Sequence, residues 1–482
     1  MMFQRLYKKR ESFYSRKLRL AILVCLVGIV NLIFMIPVFA GIVNEELGGS
    51  QPSIQIDKET KEYITLIKKT LSKDYPGMFR EAGGILSYKF LTPGSDAYSD
   101  VLWDWDSWLS NVAIHQALLF TAGDKEKKSV SEYEKGCILN FLSMNSGDGW
   151  IPISISRNPD SQNELFEKKK NFHDENMHKP CLVQHAAFII QQNNGDVSWL
   201  VGYYDKLKSF LQNYRDYSRN EKTGLYYWQT DFAIGVDNDP STFYRPHKSS
   251  GSIYLNAMMY RELLAMAYIS GLMKESEDAE KYAIEAANLK TAIQNQCWDA
   301  KDGFYYSVDL NILPIDPKTV LHQGAPRTWE SVIERIGEWS GFMSLWAGIA
   351  TPEQAKRIIE EHIQNPNSFN ANYGIRTLDK REKMYSLIKS GNPSCWLGPV
   401  WGISNYMTWK GLVNYGYVKE ARELAIKTIH LFGEDLRKNG QLHEYYHPDT
   451  GEGLNNMGFQ NWNYLVLNMI AWLEGEPVVS EF

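Results

Sequence analysis

The first thing this 482-residue sequence lacks is a basic excess: 51 Lys and Arg stand against 57 Asp and Glu, a formal net charge of −6. Binding a polyphosphate through counterion release needs a cationic face, so no nucleic-acid partner is expected. Cysteine is scarce. The five residues Cys25, Cys137, Cys181, Cys297 and Cys395 form no CxxC pair and no metal-like spacing, so no metal is expected. P-loop, GxGxxG, HExxH and GxSxG stretches are all missing. That removes the usual signatures of nucleotide cofactors, zinc hydrolysis and serine nucleophiles, and no cofactor is expected. The ten His are dispersed, and His185, on an apolar helix, reads as a core histidine. Sustained period-two alternation is nearly absent, which argues against an all-β or doubly wound fold.

What is present begins with a long uncharged run. Residues 20–44, LAILVCLVGIVNLIFMIPVFAGIVN, are long enough as a helix to cross a bilayer core. Lys8, Lys9, Arg10, Arg16, Lys17 and Arg19 precede them, and Glu45 and Glu46 follow. The positive-inside rule then predicts a basic cytoplasmic tail at 1–19 and a transmembrane signal anchor at 20–44. A linker at 45–58 follows, with the domain 59–482 on the non-cytoplasmic side. Val38-Phe39-Ala40 also has the form of a signal-peptidase site, which leaves secretion after cleavage as the alternative.

Beyond the linker, helical periodicity dominates. Apolar residues at three- and four-residue steps predict helices over 105–122, 129–144, 180–192, 197–217, 252–273 and 276–296. The same steps predict helices over 331–349, 352–363, 405–415, 418–432 and 462–473. Three stretches, 220–230, 299–309 and 442–453, pair a polar Gly turn with a Tyr-rich run and predict short β-hairpins between helices. The expectation is an all-α toroid barrel with hairpins in its rim loops.

Aromatic residues are abundant, with 15 Trp and 28 Tyr. Such rings fill cores, and they also stack on the apolar faces of sugars. Four loops set acids among them. WDWDSWL (103–109) holds Asp104 and Asp106 between tryptophans, where either acid also suits a helix N-cap. GVDNDPSTFYRP (235–246) carries Asp237 and Asp239 but lacks the ligand pattern of a calcium loop. WLGPVW (396–401) places two tryptophans around a Gly-Pro turn, and LHEYYHPDTGEG (442–453) sets Glu444 between His443 and Tyr445. Two carboxyls facing each other across a sugar, one protonated and one ionised, are what glycoside hydrolysis requires.

In order, WDWDS, HKPCLVQHAAF (178–188), GVDNDP, YGIRTL (373–378), WLGPVW and HEYYHPDTGEG resemble glycoside hydrolase family 63. The likeness covers roughly 85–475 and is greatest to the short members, the mannosylglycerate and glucosylglycerate hydrolases. It implies an (α/α)6 barrel and an exo-acting, inverting α-glycosidase of a small α-glucoside or α-mannoside. It also implies that Asp237 is the general acid and Glu444 the general base. Trp105 and Asp106 would hold the first sugar, Gln184 and Gln460 would contact substrate, and Trp396 and Trp401 would line the pocket. There are departures: Phe232-Ala233-Ile234 replaces a Trp-Glu-Ser before the acid's loop, and Leu397 stands where an arginine is common. The missing arginine weakens the case for a glycerate carboxylate. A trehalase-like glycosidase, a sugar epimerase or isomerase on the same frame, and a non-catalytic membrane-displayed sugar-binding protein are the alternatives.

Overall fold

The computed structural model describes residues 56–121, 124–145, 147–158, 177–231, 234–243, 245–318, 326–389 and 393–482. Lys58–Phe482 form one compact unit. Its helices, in chain order, are α1 (Lys58–Asp74), α2 (Asp104–Thr121), α3 (Asp124–Ser143), α4 (Leu182–Gln192), α5 (Tyr204–Tyr217) and α6 (Ile253–Leu272). There follow α7 (Ser276–Cys297), α8 (Met343–Trp346), α9 (Pro352–Ile358), α10 (Gly402–Asn414), α11 (Val418–Asn439) and α12 (Val466–Glu474).

Burial alternates along this list. The odd-numbered helices bury one stripe: in α1 it is Thr60, Tyr63, Ile64, Ile67 and Leu71, the spacing of a single helical face. The even-numbered helices are buried nearly all round, and in α4 every residue from Leu182 to Ile190 is covered. Each even helix packs on the next, α2 on α4, α6, α8, α10 and α12 in turn, and α12 returns to α2. Six inner helices thus close a ring and six outer helices cover it, an (α/α)6 barrel.

Local chemistry fixes the helix ends. The Ser252 hydroxyl accepts the Leu255 N–H and starts α6. Thr351 and Gln354 form a capping box on α9, and Gly440, at φ 73°, stops α11. The start of α4 has no side-chain cap of its own. Glu262 of α6 reaches it instead, accepting the Val183 and Gln184 N–H groups at 2.7 and 3.0 Å, and so ties two inner helices together.

The inner helices begin at the rim that carries the acid-bearing loops. Short strands brace those loops, notably Val400–Trp401 antiparallel to Tyr445–Tyr446, with Trp401 opposite Tyr445. The segment Pro477–Phe482 is held by later turns of the inner helices: Gln116 bonds Val479, Trp346 and Tyr406 bond Glu481, and Phe482 packs on Tyr268.

Three expectations need correction. A single helix over 331–349 does not form: Val332–Ile333 is a strand, and helical structure runs only from Trp339 to Trp346. Two adjacent β-branched residues and Gly337 in that window favour extended chain over the period that its apolar residues mimic. Helix α1 was not expected, although its stripe is regular. The transmembrane helix preceding the barrel has no place in the described fold. No helix among the described residues is long and apolar enough to cross a membrane, and residues 1–55, with the expected tail, anchor and most of the linker, lie outside them.

Candidate active site

The two acids of WDWD separate into different tasks. Asp104, at the first position of α2, accepts the Trp105 N–H at 2.7 Å and the Lys179 backbone N–H at 2.8 Å. The Lys179 ammonium lies 2.8 and 3.0 Å from its two oxygens, in a fully buried ion pair. Asp104 is therefore structural and locks the 178–181 turn against α2. Asp106, one half-turn on, is also buried, and Lys179 acts on it only through its charge. It accepts a hydrogen bond from Asn461 at 2.5 Å. Burial, then the charge of Asp104, pushes its pKa up to about 8, so it is protonated at neutral pH.

Glu444 is delivered by the Val400–Tyr446 ladder and fixed by three donors: the Tyr98 hydroxyl at 3.0 Å, the Asn455 amide at 3.0 Å and the Asn456 amide. These bonds favour the carboxylate, while burial opposes it more strongly. The balance leaves Glu444 raised to about 7, with the nearby Asp237 adding to the rise. Tyr98 feels the charges of Glu444, Asp106 and Asp237 together, which places three carboxyls around one phenol.

Asp237 is half-buried on the 234–243 loop. Gly235 lets that loop approach: at φ 74° it sits where a Cβ would lie 2.6 Å from Lys179 Cε. The next residue, Asn238, accepts the Trp396 N–H at 2.7 Å and joins the acid's loop to WLGPVW. There Trp396 and Trp401 stack on each other, centroids 3.9 Å apart and planes at 10°. They form one composite ring surface rather than two opposed walls. Trp105 lies 6.1 Å from Trp396 and 5.1 Å from Trp462, so it joins this aromatic group.

Two residues named from the sequence stand apart. Gln184 is fully buried, donating to the carbonyls of Pro180 and Met258 at 2.8 and 3.1 Å within the α4–α6 packing. Gln460 donates to the Asp74 carbonyl at 2.9 Å and the Tyr464 hydroxyl at 2.8 Å, away from the carboxyls. Its neighbour Asn461 makes the contact with Asp106. Tyr98, Asn455, Asn456 and Asn461 were all missed. The signal for Asn461 was its place one residue after Gln460, while Tyr98 stood eight residues before Asp106 with nothing local to mark it.

Asp104, His178 and Cys181 lie within 4.8 Å of one another and have metal-ligand chemistry. The trio does not suit a cation. Both Asp104 oxygens face the Lys179 ammonium, and burial holds the Cys181 thiol protonated, its pKa raised well above the ordinary value.

Comparison with known proteins fits this frame. The chain is 32% identical over 134 residues to the mannosylglycerate hydrolase MGH1 of Selaginella moellendorffii, 28% of this chain and 24% of that protein. It thus spans about a quarter of the length of this relative and of the MGH2 protein of the same plant, 24% in each case. The crystal structure of the GH63 mannosylglycerate hydrolase of Thermus thermophilus in complex with Tris superposes with a TM-score of 0.60 at 18% identity, over 83% of this chain and 99% of that one. The cytosolic neutral trehalase of Kluyveromyces lactis is 27% identical over 211 residues, 42% of this chain and 25% of that protein. The expected membrane-anchored placement outside the cytoplasm finds no support: one relative is named as cytosolic, and no helix among the described residues, which exclude 20–44, is long and apolar enough to cross a membrane. The profile of the mannosylglycerate hydrolase MGH1-like glycoside hydrolase domain matches residues 101–462, and the chain belongs to that family, within glycoside hydrolase family 63.

Proposed function

We propose that this chain is an exo-acting, inverting α-glycosidase of a small α-mannoside or α-glucoside, with its catalytic domain at 59–482. Glu444 is the general base. At neutral pH it is partly ionised, and three donors orient its carboxyl to take a proton from the attacking water. Asp237, near enough to influence Glu444, protonates the leaving oxygen when it carries the proton. Protonated Asp106 donates a hydrogen bond to a sugar hydroxyl, and the ring group of Trp105, Trp396 and Trp401 packs the sugar's apolar face. The reading rests on one observation above the others: the Glu444 carboxyl, poised near neutrality, lies within the field of a second, half-buried acid.

Mannosylglycerate heads the substrate panel because it names the plant and Thermus relatives. Trehalose is second, because a neutral trehalase is among the relatives. The test incubates the protein with α-mannosylglycerate, α-glucosylglycerate and trehalose and follows the anomeric proton by NMR. First release of the β-sugar, lost in Asp237→Asn and Glu444→Gln, is the expected result. First release of the α-anomer, or full activity in either variant, refutes the mechanism.

A further inference from the structure

A second pair of acids grips the loop that carries Asp237, and the hydrolytic scheme gives it no task. Asp239 follows Asp237 by two residues, and Glu338 stands at the entry to the 3-10 turn Trp339–Phe342 of the inner ring. They are 7% and 5% exposed, and the two carboxyls meet at one donor: the Ser241 N–H lies 3.4 Å from Asp239 Oδ1 and 2.9 Å from Glu338 Oε1. Two buried carboxyls in contact share a proton, because like charges at that range cannot both ionise.

The loop is stitched around that proton. Glu338 Oε1 accepts the Ser241 N–H at 2.9 Å, and Glu338 Oε2 accepts the Ser340 hydroxyl at 3.3 Å. The Ser241 and Thr242 hydroxyls each donate to Asp239 Oδ2 at 3.0 Å. Between the two acids of the loop, Asn238 holds the Trp396 N–H. A small cavity bordered by Val236, Asp239, Glu338, Trp339 and Trp396 lies against the pair.

We propose that Glu338 is a positioning residue: through the proton it shares with Asp239 it holds the 236–242 loop so that Asp237 faces the scissile oxygen, and loss of that proton at alkaline pH releases the loop. This rests on Asp237 being the general acid. Burial first, then Asp239, raises Glu338 well above the ordinary carboxylate value, so its proton is held more tightly and departs only as pH rises. Other charges face the pair. Glu334, Arg245 and Asp309 form a cluster beside it, Tyr254 of α6 borders the same cavity, and Asp379, Arg381 and Glu382 pack over Gly337. Glu334, raised to about 7, adds negative charge beside the pair as it ionises, and that charge favours keeping the shared proton to higher pH.

Glu338→Gln separates the hydrogen bonds from the titration. Its amide still donates to Asp239 and its carbonyl still accepts from Ser241, but it has no proton to lose. Turnover of α-mannosylglycerate would be followed from neutral to alkaline pH in the wild type, Glu338→Gln and Glu338→Ala. Amide hydrogen exchange of residues 236–243 would be read in the same proteins. Glu338→Gln keeps kcat at neutral pH and moves the alkaline fall to higher pH. Glu338→Ala loses kcat about a hundredfold, the scale of a misplacement near one ångström, with KM little changed. The protection of the loop, its exchange taken relative to the intrinsic rate at each pH, falls with pH in the wild type, stays constant in Glu338→Gln and is low throughout in Glu338→Ala. The inference is overturned if Glu338→Gln follows the wild-type alkaline limb and the protection of the loop relative to intrinsic exchange is independent of pH in the wild type. It is overturned as well if Glu338→Ala only lowers Tm while kcat at permissive temperature is unchanged. If the wild type turns over no glycoside, the hydrolase reading fails, and the exchange profiles still decide whether Glu338 holds the loop.

Discussion

Asn461 donates its amide to Asp106 at 2.5 Å while its own side-chain carbonyl accepts the Ser110 hydroxyl at 3.1 Å. One side chain from the turn before α12 thus clamps the opening turns of α2. Its backbone sits at φ 38°, and Asn456, which donates to Glu444, sits at φ 39°. Asn tolerates this left-handed region better than most residues, and both instances hold an acid in place. Asn461→Ala leaves the Asp106 carboxyl without this donor. The expected outcome is a ten- to hundredfold loss in kcat/KM, on the order of 1–3 kcal/mol, with a stability loss of similar scale. Asn461→Gly accommodates the backbone equally well but lacks the amide. Steady-state kinetics on both variants, with denaturant melts, checks the point: wild-type activity in the glycine variant would show that only the backbone mattered.

Tyr98→Phe tests how Glu444 is tuned. The base must be ionised to act, so activity should rise with pH through the Glu444 value of about 7. The Tyr98 hydroxyl favours the ionised form, and removing it pushes the value higher still. A charge-assisted bond of this kind corresponds to roughly one pH unit. The acid limb of the kcat/KM profile should therefore move about one unit toward alkaline pH. An unmoved limb would mean that another group sets it.

Asp106→Asn should separate activity from stability. Asp106 has its pKa raised from 3.8 to about 8, so the native state binds its proton more tightly than the unfolded chain. The stability this contributes is complete below the unfolded value and is lost as pH rises through the folded one. Asn has no proton to lose. The variant should gain stability relative to the wild type between about pH 4 and pH 8 while losing activity through its altered hydrogen bonding to the sugar. Thermal melts across that range, beside turnover, would reveal the crossing; parallel Tm curves would contradict the assignment.

The barrel was legible in the sequence because apolar residues recur at three- and four-residue steps along both outer and inner helices, patterns set by neighbours a few residues apart. The 331–349 window misled because its apolar spacing was helical while Val332, Ile333 and Gly337 favoured extended chain. The acid-bearing loops were legible through residue type, since an Asp or Glu among tryptophans is unusual. Their partners were not. Tyr98 meets Glu444 across 346 residues and Asn461 meets Asp106 across 355, and a single sequence carries no signal for contacts at that separation. Gln184 shows the converse: the match to a family motif was local, whereas the partners its amide finds, Pro180 and Met258, belong to the packing of two inner helices.

Glu481 offers a test of what keeps the ring closed away from the site. It is buried, and Trp346 Nε1 and the Tyr406 hydroxyl donate to its two oxygens at 2.8 and 2.5 Å. Burial alone would raise its pKa, but Lys410, the Tyr406 hydroxyl and Arg261 outweigh that and hold it below the ordinary carboxylate value. Lys410 in turn bonds Ser480 at 2.6 Å, so the 477–482 segment links α8, α10 and α6 through one charge cluster. For a carboxylate with a depressed pKa, the stability it contributes is present above the unfolded value and lost as pH falls through the folded one. Glu481→Ala leaves the half-buried Lys410 and Arg261 short of counter-charge and removes two hydrogen-bond acceptors, a loss on the order of 1–3 kcal/mol at neutral pH. The deficit should narrow in acid, where the wild type protonates the same group. Urea melts at neutral and acidic pH would measure it, and a variant as stable as the wild type at neutral pH would show that the segment rests on the inner ring without bracing it.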